Sequence, residues 1–268
     1  MMEKLADYHI HTSFCNHANG TMKEYVKFAI SAGLNEIGFS DHNPLPAEYN
    51  NHYRMLPEDL PLYLTIIDDL IIQFPQIIIK TGIELDYIES AVPYLKKLVS
   101  NNKFDYVIGS VHYLNVDSSN QVVYLNDLQC DNKTKLFCKY FESVEKAILT
   151  GLFDIIAHFD LPRRFWGEMD AESMSYAERT LETIKDYDVC LEINTSGFRT
   201  KSVSEPFPSI ELLRLVKAME IPITLGSDSH SPNAVGSYFQ EAVEILKELG
   251  FKEISIFSSR KRKSMSYY

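Results

Sequence analysis

The chain has 268 residues, 45% of them hydrophobic and 24% charged, and carries a formal net charge of -11 at pH 7. That length suits one large domain or two small ones, and the composition is that of a globular protein. The acidic surplus argues against a nucleic-acid-binding face, which needs a basic patch, but not against an anionic substrate, because bound cations would dominate the local field.

The four cysteines, Cys15, Cys130, Cys138 and Cys190, form no Cys-x-x-Cys pair. They read as reduced thiols of a cytoplasmic protein rather than as a disulfide framework or zinc knuckle. No signal peptide is visible over residues 1–7, and no apolar run reaches membrane-spanning length.

In chain order, residues 5–11 are expected as a first strand, placing His9 and His11 on one face because side chains alternate. Thr21 and Glu24 form a capping box for a helix that runs to about Ala32 and stops at Gly33. Residues 36–40 form a second strand ending at Asp41-His42, and residues 43–56 a long loop of the kind that often carries function. A helix over 57–74 precedes a third strand, 77–84, that finishes on Glu84. A helix over 89–100 precedes a fourth strand, 105–112, ending on His112. Residues 115–131 are polar and irregular; 133–150 are helical, and strand 153–158 ends on His158. A loop over 160–169 holds Arg163, Arg164 and the sole tryptophan, Trp166. Helix 171–187, strand 189–194, helix 207–219 and strand 223–226 follow, the last leading into Asp228 and His230. A last long helix lies within 232–249, and a short strand, 254–257, closes the pattern. The basic run 260–263 reads as a solvated, frayed tail.

Strand then helix, repeated seven times, implies an α/β fold with parallel strands and covering helices. No Gly-x-Gly-x-x-Gly follows the first strand, which weakens a dinucleotide fold. Polar ligand types end nearly every strand, which fits a barrel with its site at the C-terminal face. No low-complexity linker splits the chain, so residues 1–268 read as one domain.

Six of the eight histidines, His9, His11, His42, His112, His158 and His230, lie at or just past strand ends, and Asp41, Glu84 and Asp228 keep them company. Core histidines satisfied by packing would be scattered over both ends of the strands. His42 and His230 each follow an acidic residue, so either partner is a candidate ligand, the other an orienter. His17 is a loop histidine, solvated or drawn in by its nearness to His9 and His11. His112 and His158 could instead be buried, hydrogen-bonded core residues, and Asp7 an orienter or a strand cap. The ligands exceed what one ion needs, which argues for two or three, with Glu84 the bridging candidate. Imidazole suits zinc, iron and copper, while carboxylate admits manganese and magnesium. Clustered cations suit phosphate-ester hydrolysis, and guanidinium groups help with phosphoryl oxygens. Of Arg163, Arg164 and Arg199, one from each loop favours Arg163 and Arg199.

The ordered segments Asp7-x-His9-x-His11, Ser40-Asp41-His42, Gly82-Ile83-Glu84, Gly109-Ser110-Val111-His112, Ala157-His158 and Gly226-Ser227-Asp228-Ser229-His230 resemble the polymerase-and-histidinol-phosphatase (PHP) family, from residue 7 to residue 230. The resemblance implies a distorted (β/α)7 TIM-like barrel and three divalent ions, zinc, manganese or iron. It implies one ion on His9, His11, Glu84 and Asp228, a second on Glu84, His112 and His158, and a third on His17, His42 and His230. Within the family the chain looks like the phosphatases that release L-histidinol from its phosphate ester. The expected chemistry is attack of a metal-bridging hydroxide on phosphorus, with Arg163 and Arg199 on the phosphoryl oxygens and Asp160 or a coordinated water as the acid. The expected partner is a small-molecule phosphate ester, with neither nucleic acid nor membrane. The alternatives are a family member acting on nucleotides or oligonucleotides, or a barrel-type amide or ester hydrolase.

Overall fold

In the computed structural model, which describes residues 4–46, 49, 52–115, 122–128 and 132–267, the strands are β1 (Ala6–Ile10), β2 (Glu36–Phe39), β3 (Ile78–Asp86), β4 (Tyr106–Ser110), β5 (Tyr113–Asn115), β6 (Val122–Tyr124), β7 (Ile155–Ile156), β8 (Cys190–Asn194), β9 (Ile223–Gly226), β10 (Glu253–Ser258) and β11 (Lys261–Ser266). The helices are α1 (Met22–Ser31), α2 (Leu60–Gln73), α3 (Val92–Asn101), α4 (Lys133–Leu149), α5 (Arg163–Trp166), α6 (Ala171–Asp186), α7 (Ser196–Arg199), α8 (Ile210–Ala218) and α9 (Phe239–Glu248). None of them is long and apolar enough to cross a membrane.

Seven strands form one parallel sheet in the order β1-β2-β3-β4-β7-β8-β9. Its two edges meet just past the strand ends. The His11 N–H donates to the Ser229 carbonyl at 2.9 Å and the Ser229 N–H to the His9 carbonyl at 3.2 Å. The sheet is thereby curled into a nearly closed barrel, the closure expected from the polar strand ends and the family resemblance. Both faces of the central strands are buried, which is why they read as near-continuous apolar runs.

At the N-terminal mouth the interior is filled by Tyr8, Tyr106 and Phe257. The Tyr106 hydroxyl donates to the Tyr8 carbonyl at 2.7 Å. Tyr106 lies against Gly38 and Gly82, where an added Cβ would come within 2.2 Å of its hydroxyl oxygen and 2.1 Å of a ring carbon respectively. Below it, β10 and β11 form an antiparallel hairpin. The Phe257 N–H donates to the Tyr8 hydroxyl at 3.1 Å. This corrects the expectation of a frayed basic tail. Arg260 pairs with Asp154, and Arg262 with Asp188 at 2.6 Å, because the acidic bottom rim supplies partners for the run.

Other boundaries follow local chemistry. The Thr21–Glu24 capping box forms, and Gly33 takes the left-handed conformation (φ +79°) that ends α1. β3 runs to Asp86, two residues past the expected end. The polar stretch after β4 contains the β5–β6 hairpin; residues 116–121 and 129–131, Cys130 among them, lie outside the described residues. Cys15, Cys138 and Cys190 are free, buried thiols.

Candidate metal centre

Each parallel strand delivers its ligand-type side chains to the same mouth because all seven run the same way. β1 brings His9 and His11, the turn after β2 brings His42, and β3 brings Glu84 and Asp86. His112 and His158 follow β4 and β7. β8 brings Glu192 and Asn194, and the loop after β9 brings Asp228 and His230. His17 arrives from the loop after β1.

Glu84 sits at the centre. Its carboxylate oxygens lie 2.8 Å from His42 Nδ1, 3.3 Å from His158 Nε2, 3.5 Å from His9 and His11 Nε2, and 3.9 Å from His112 Nε2. Asp228 lies 3.4 Å from His11 and 3.9 Å from His9. Three imidazole pairs face one another through Nε2: His9 and His11 at 3.0 Å, His112 and His158 at 3.2 Å, His17 and His230 at 2.8 Å. Two nitrogens that share a tetrahedral cation at 2.0–2.1 Å stand about 3.3 Å apart. Buried His42 Nδ1 and Glu84 Oε2 face each other at 2.8 Å, yet neither makes a hydrogen bond of acceptable geometry. A cation held between such ligand atoms satisfies both. The sets His9–His11–Glu84, His42–Glu84–His112 and His17–His42–His230 each place three donor atoms within 4.8 Å of one another.

Electrostatics keep Glu84, Asp228 and four of the rings in metal-ready protonation states; at His9 and His112 burial works the same way but is outweighed by Glu192 and Asp86 respectively, which raise those rings, so a cation there displaces a proton. Burial opposes charge on Glu84, yet His42 and His9 hold its carboxyl well below the ordinary range. Asp228 is held low against burial by His9, His11 and His230. His11 is pushed well down by burial and then by His230 and His42; burial likewise lowers His17, His42 and His230. Lone pairs on these rings are therefore available near neutrality.

Neighbouring carboxylates set the tautomers. Glu192 takes the His9 Nδ1 proton at 2.6 Å and the His158 backbone N–H at 2.8 Å. Asp86 takes the His112 Nδ1 proton at 2.6 Å and is held by Arg54 Nη1 at 2.6 Å. Each leaves the partner's Nε2 free for the centre. Gly226 makes room for the Glu192–His9 pair: a Cβ there would lie 1.9 Å from Glu192 Oε1 and 2.8 Å from His9 Cβ. Asp7 accepts from Ser227 N–H and Gly236 N–H, both at 2.9 Å, tying β1 to the loop of Asp228. Asp41 is occupied by the Thr12 N–H (2.7 Å) and hydroxyl (2.6 Å), so His42 is the member of that pair that faces the centre. His158 (φ +25°) and Asp228 (φ +51°) hold left-handed backbone, uncommon away from glycine and persistent only where surroundings enforce it.

The structure brings neither the expected acid nor the two expected arginines into the wall of the ligand-lined cavity. Asp160 is buried, accepting from the Ser209 N–H at 2.9 Å and from Arg163 at 3.2 Å; burial first, then Glu205, push its carboxyl up to about 6, against Arg163. Arg163 is enclosed by Asp160, Glu168 (3.1 Å) and Glu205 (2.5 Å), so three carboxylates turn it away. Its neighbour Arg164 lines the cavity instead. Arg199 reaches the loop after β9, donating to the carbonyls of Ser227 at 2.7 Å and Asp228 at 3.1 Å and to the Ser237 hydroxyl at 2.6 Å.

The ligand-lined cavity, about 350 Å³, includes His11, His17, His42, Glu84, Asp228 and Arg164 in its wall. Asp86 and Arg54 were not singled out as site residues by the sequence. Asp86 had a signal, since positions 84 and 86 share one face of a strand; Arg54, in a long loop, had none.

Comparison with known proteins agrees with this geometry. The PHP domain family matches residues 7–196. The chain is 36% identical over 261 residues to a Deinococcus radiodurans protein named "Probable histidinol-phosphatase", covering 97% of this chain and 99% of that one. It is 26% identical over 262 residues to the histidinol-phosphatase of Bacillus subtilis, covering 89% and 98%. Among solved structures, histidinol phosphate phosphatase from Lactococcus lactis, complexed with zinc, L-histidinol and phosphate, superposes with a TM-score of 0.81 at 26% identity, over 97% of this chain and 99% of that one. With ligand-type residues at the ends of its parallel strands and this match over most of its length, the chain belongs to the PHP domain family.

Proposed function

We propose that this protein is a metal-dependent phosphomonoesterase that hydrolyses L-histidinol phosphate to L-histidinol and phosphate, a step of histidine biosynthesis. The observation that carries it is the convergence on Glu84 of imidazoles from four segments, in a chain similar over nearly its whole length to histidinol-phosphatases. The Lactococcus lactis relative holds zinc together with L-histidinol and phosphate, the two products of this reaction.

In this reading three divalent ions, zinc, manganese or iron, are held by the strand-end residues. His9, His11, Glu84 and Asp228 hold one, Glu84, His112 and His158 a second, and His17, His42 and His230 the third. When bound, such ions activate water for attack on phosphorus and neutralise the phosphoryl oxygens. The chain's own residues do the rest. Glu192 and Asp86 keep the Nδ1 protons on His9 and His112, so both rings present Nε2 to the centre. Arg164, in the cavity wall, offers a guanidinium to the phosphoryl oxygens. Arg199 steadies the loop carrying Asp228 and His230. Residues 1–268 act as one domain, because ligands come from both ends of the sheet. The free buried thiols suit a cytoplasmic setting.

The test is a panel of phosphomonoesters: L-histidinol phosphate against sugar, nucleotide and amino-acid phosphates. The expected result is a clear kcat/KM preference for L-histidinol phosphate. Equal rates across the panel would remove the substrate assignment and leave the metal site standing.

A further inference from the structure

The ligand-lined cavity continues into a second hollow of about 350 Å³, and the two share His17, His42, His112, Tyr124, Arg164 and Phe165 in their walls. The far end of that hollow is formed by Tyr53, Arg54, Tyr113, Asn126 and Asp127. A phosphate ester bound with its phosphoryl group among the ligands has this hollow as the place for its organic part. The charges there are unequal in their commitments. Arg54 is matched by buried Asp86 at 2.6 Å, and Arg164 stands at the boundary nearest the phosphoryl site. Asp127 is the one carboxylate in the wall of the hollow, and among the described residues it makes no hydrogen bond or ion pair.

Asp127 is exposed at the mouth of the hollow, but the turn that carries it is anchored. Asp127 ends a 3-10 turn, Leu125–Asp127, that follows β6 directly. Leu125 is buried, and its N–H donates at 2.9 Å to the carbonyl of His112. The turn that carries the carboxylate is therefore anchored on the backbone of a candidate ligand. Tyr113, Tyr124 and Phe165 line the same hollow, and aromatic rings suit a planar or cationic group.

We propose that Asp127 is a specificity-determining residue that binds the ammonium group of the substrate's organic part, with its imidazole against the aromatic wall. This rests on the substrate assigned above, and it explains the discrimination physically. A cationic tail finds an uncommitted anion at the far end of the hollow, whereas the tail of a nucleotide or sugar phosphate brings no cation to it.

The experiment compares kcat/KM for L-histidinol phosphate with that for the same ester lacking its amine, in the metal-loaded wild-type enzyme and in Asp127→Asn, Asp127→Glu and Asp127→Lys. The wild type is expected to prefer the amine-bearing ester. Asp127→Asn should cut that preference about tenfold or more, the size of a lost charge-assisted hydrogen bond, and Asp127→Lys further, with Asp127→Glu retaining most of it. A wild type that does not distinguish the two esters overturns the substrate assignment itself. A wild type that does, together with an Asp127→Asn variant that keeps the full preference or loses rate equally on both esters, overturns the role of Asp127 alone.

Discussion

Replacing Asp86 with Asn tests how the centre is oriented. The Asp86 carboxylate is fully buried and lies 2.6 Å from His112 Nδ1 and 2.6 Å from Arg54 Nη1. Asn removes the charge that faces the Arg54 guanidinium, which is only 2% exposed and also donates to the Tyr113 hydroxyl at 2.8 Å. Breaking a buried pair from one side costs about 3–5 kcal/mol. For a chain of this size that lowers Tm by roughly 6–20 °C. The same change weakens the hold on the His112 tautomer, and loss of such an orienting carboxylate costs about 10–100-fold in metal affinity. Thermal denaturation of chelator-treated protein reads the first effect without linkage to bound metal, and competition with a chromophoric chelator reads the second. Arg54→Leu added to Asp86→Asn should restore much of the stability and none of the metal affinity, because only the first effect runs through the buried guanidinium charge. The pH sense follows. Against burial, Arg54 and His112 hold Asp86 below its ordinary 3.8, so its contribution is present above about pH 4 and lost as pH falls through the lowered value. A single variant as stable as wild type, or one with unchanged metal affinity, would refute the reasoning.

Three further outcomes are expected. Arg163→Ala should lower stability by about 3 kcal/mol, because it strands Asp160 and Glu205; thermal melts check this. Arg164→Ala should leave stability within about 0.5 kcal/mol and raise KM for the phosphate ester, and the opposite pattern between the two variants would reverse their assignment. Gly226→Ala should lower metal content and turnover together, about tenfold or more, since its Cβ would displace Glu192 and His9; elemental analysis alongside the rate decides it.

The site was legible in the sequence where one rule sufficed. Parallel strands end at one mouth, so polar residues at strand ends converge, and His9, His11, His42, Glu84, His112, His158, Asp228 and His230 all do. What was missed depends on partners distant in sequence. Arg163 and Arg164 are adjacent on a helical turn and must diverge; which one faces the cavity is set by nearby Asp160 and Glu168 together with Glu205, about forty residues on, whose approach no local pattern encodes. Asp86 was within reach of the two-residue strand period, but the expected strand stopped at Glu84. The basic run at 260–263 looked like a tail because its acidic partners, Asp154 and Asp188, lie about a hundred and about seventy residues earlier in the chain. The β5–β6 hairpin is too short, at three residues a strand, to stand out as a periodic pattern.

The account depends on cations gripped by strand-end imidazoles and carboxylates, and one titration tests that most directly. Chelator-stripped enzyme is assayed for phosphate release from L-histidinol phosphate while manganese or zinc is added back, with bound metal counted by elemental analysis. The predicted result is no turnover in the stripped protein and recovery that tracks filling to three ions per chain. Full turnover by protein that binds no metal would contradict it.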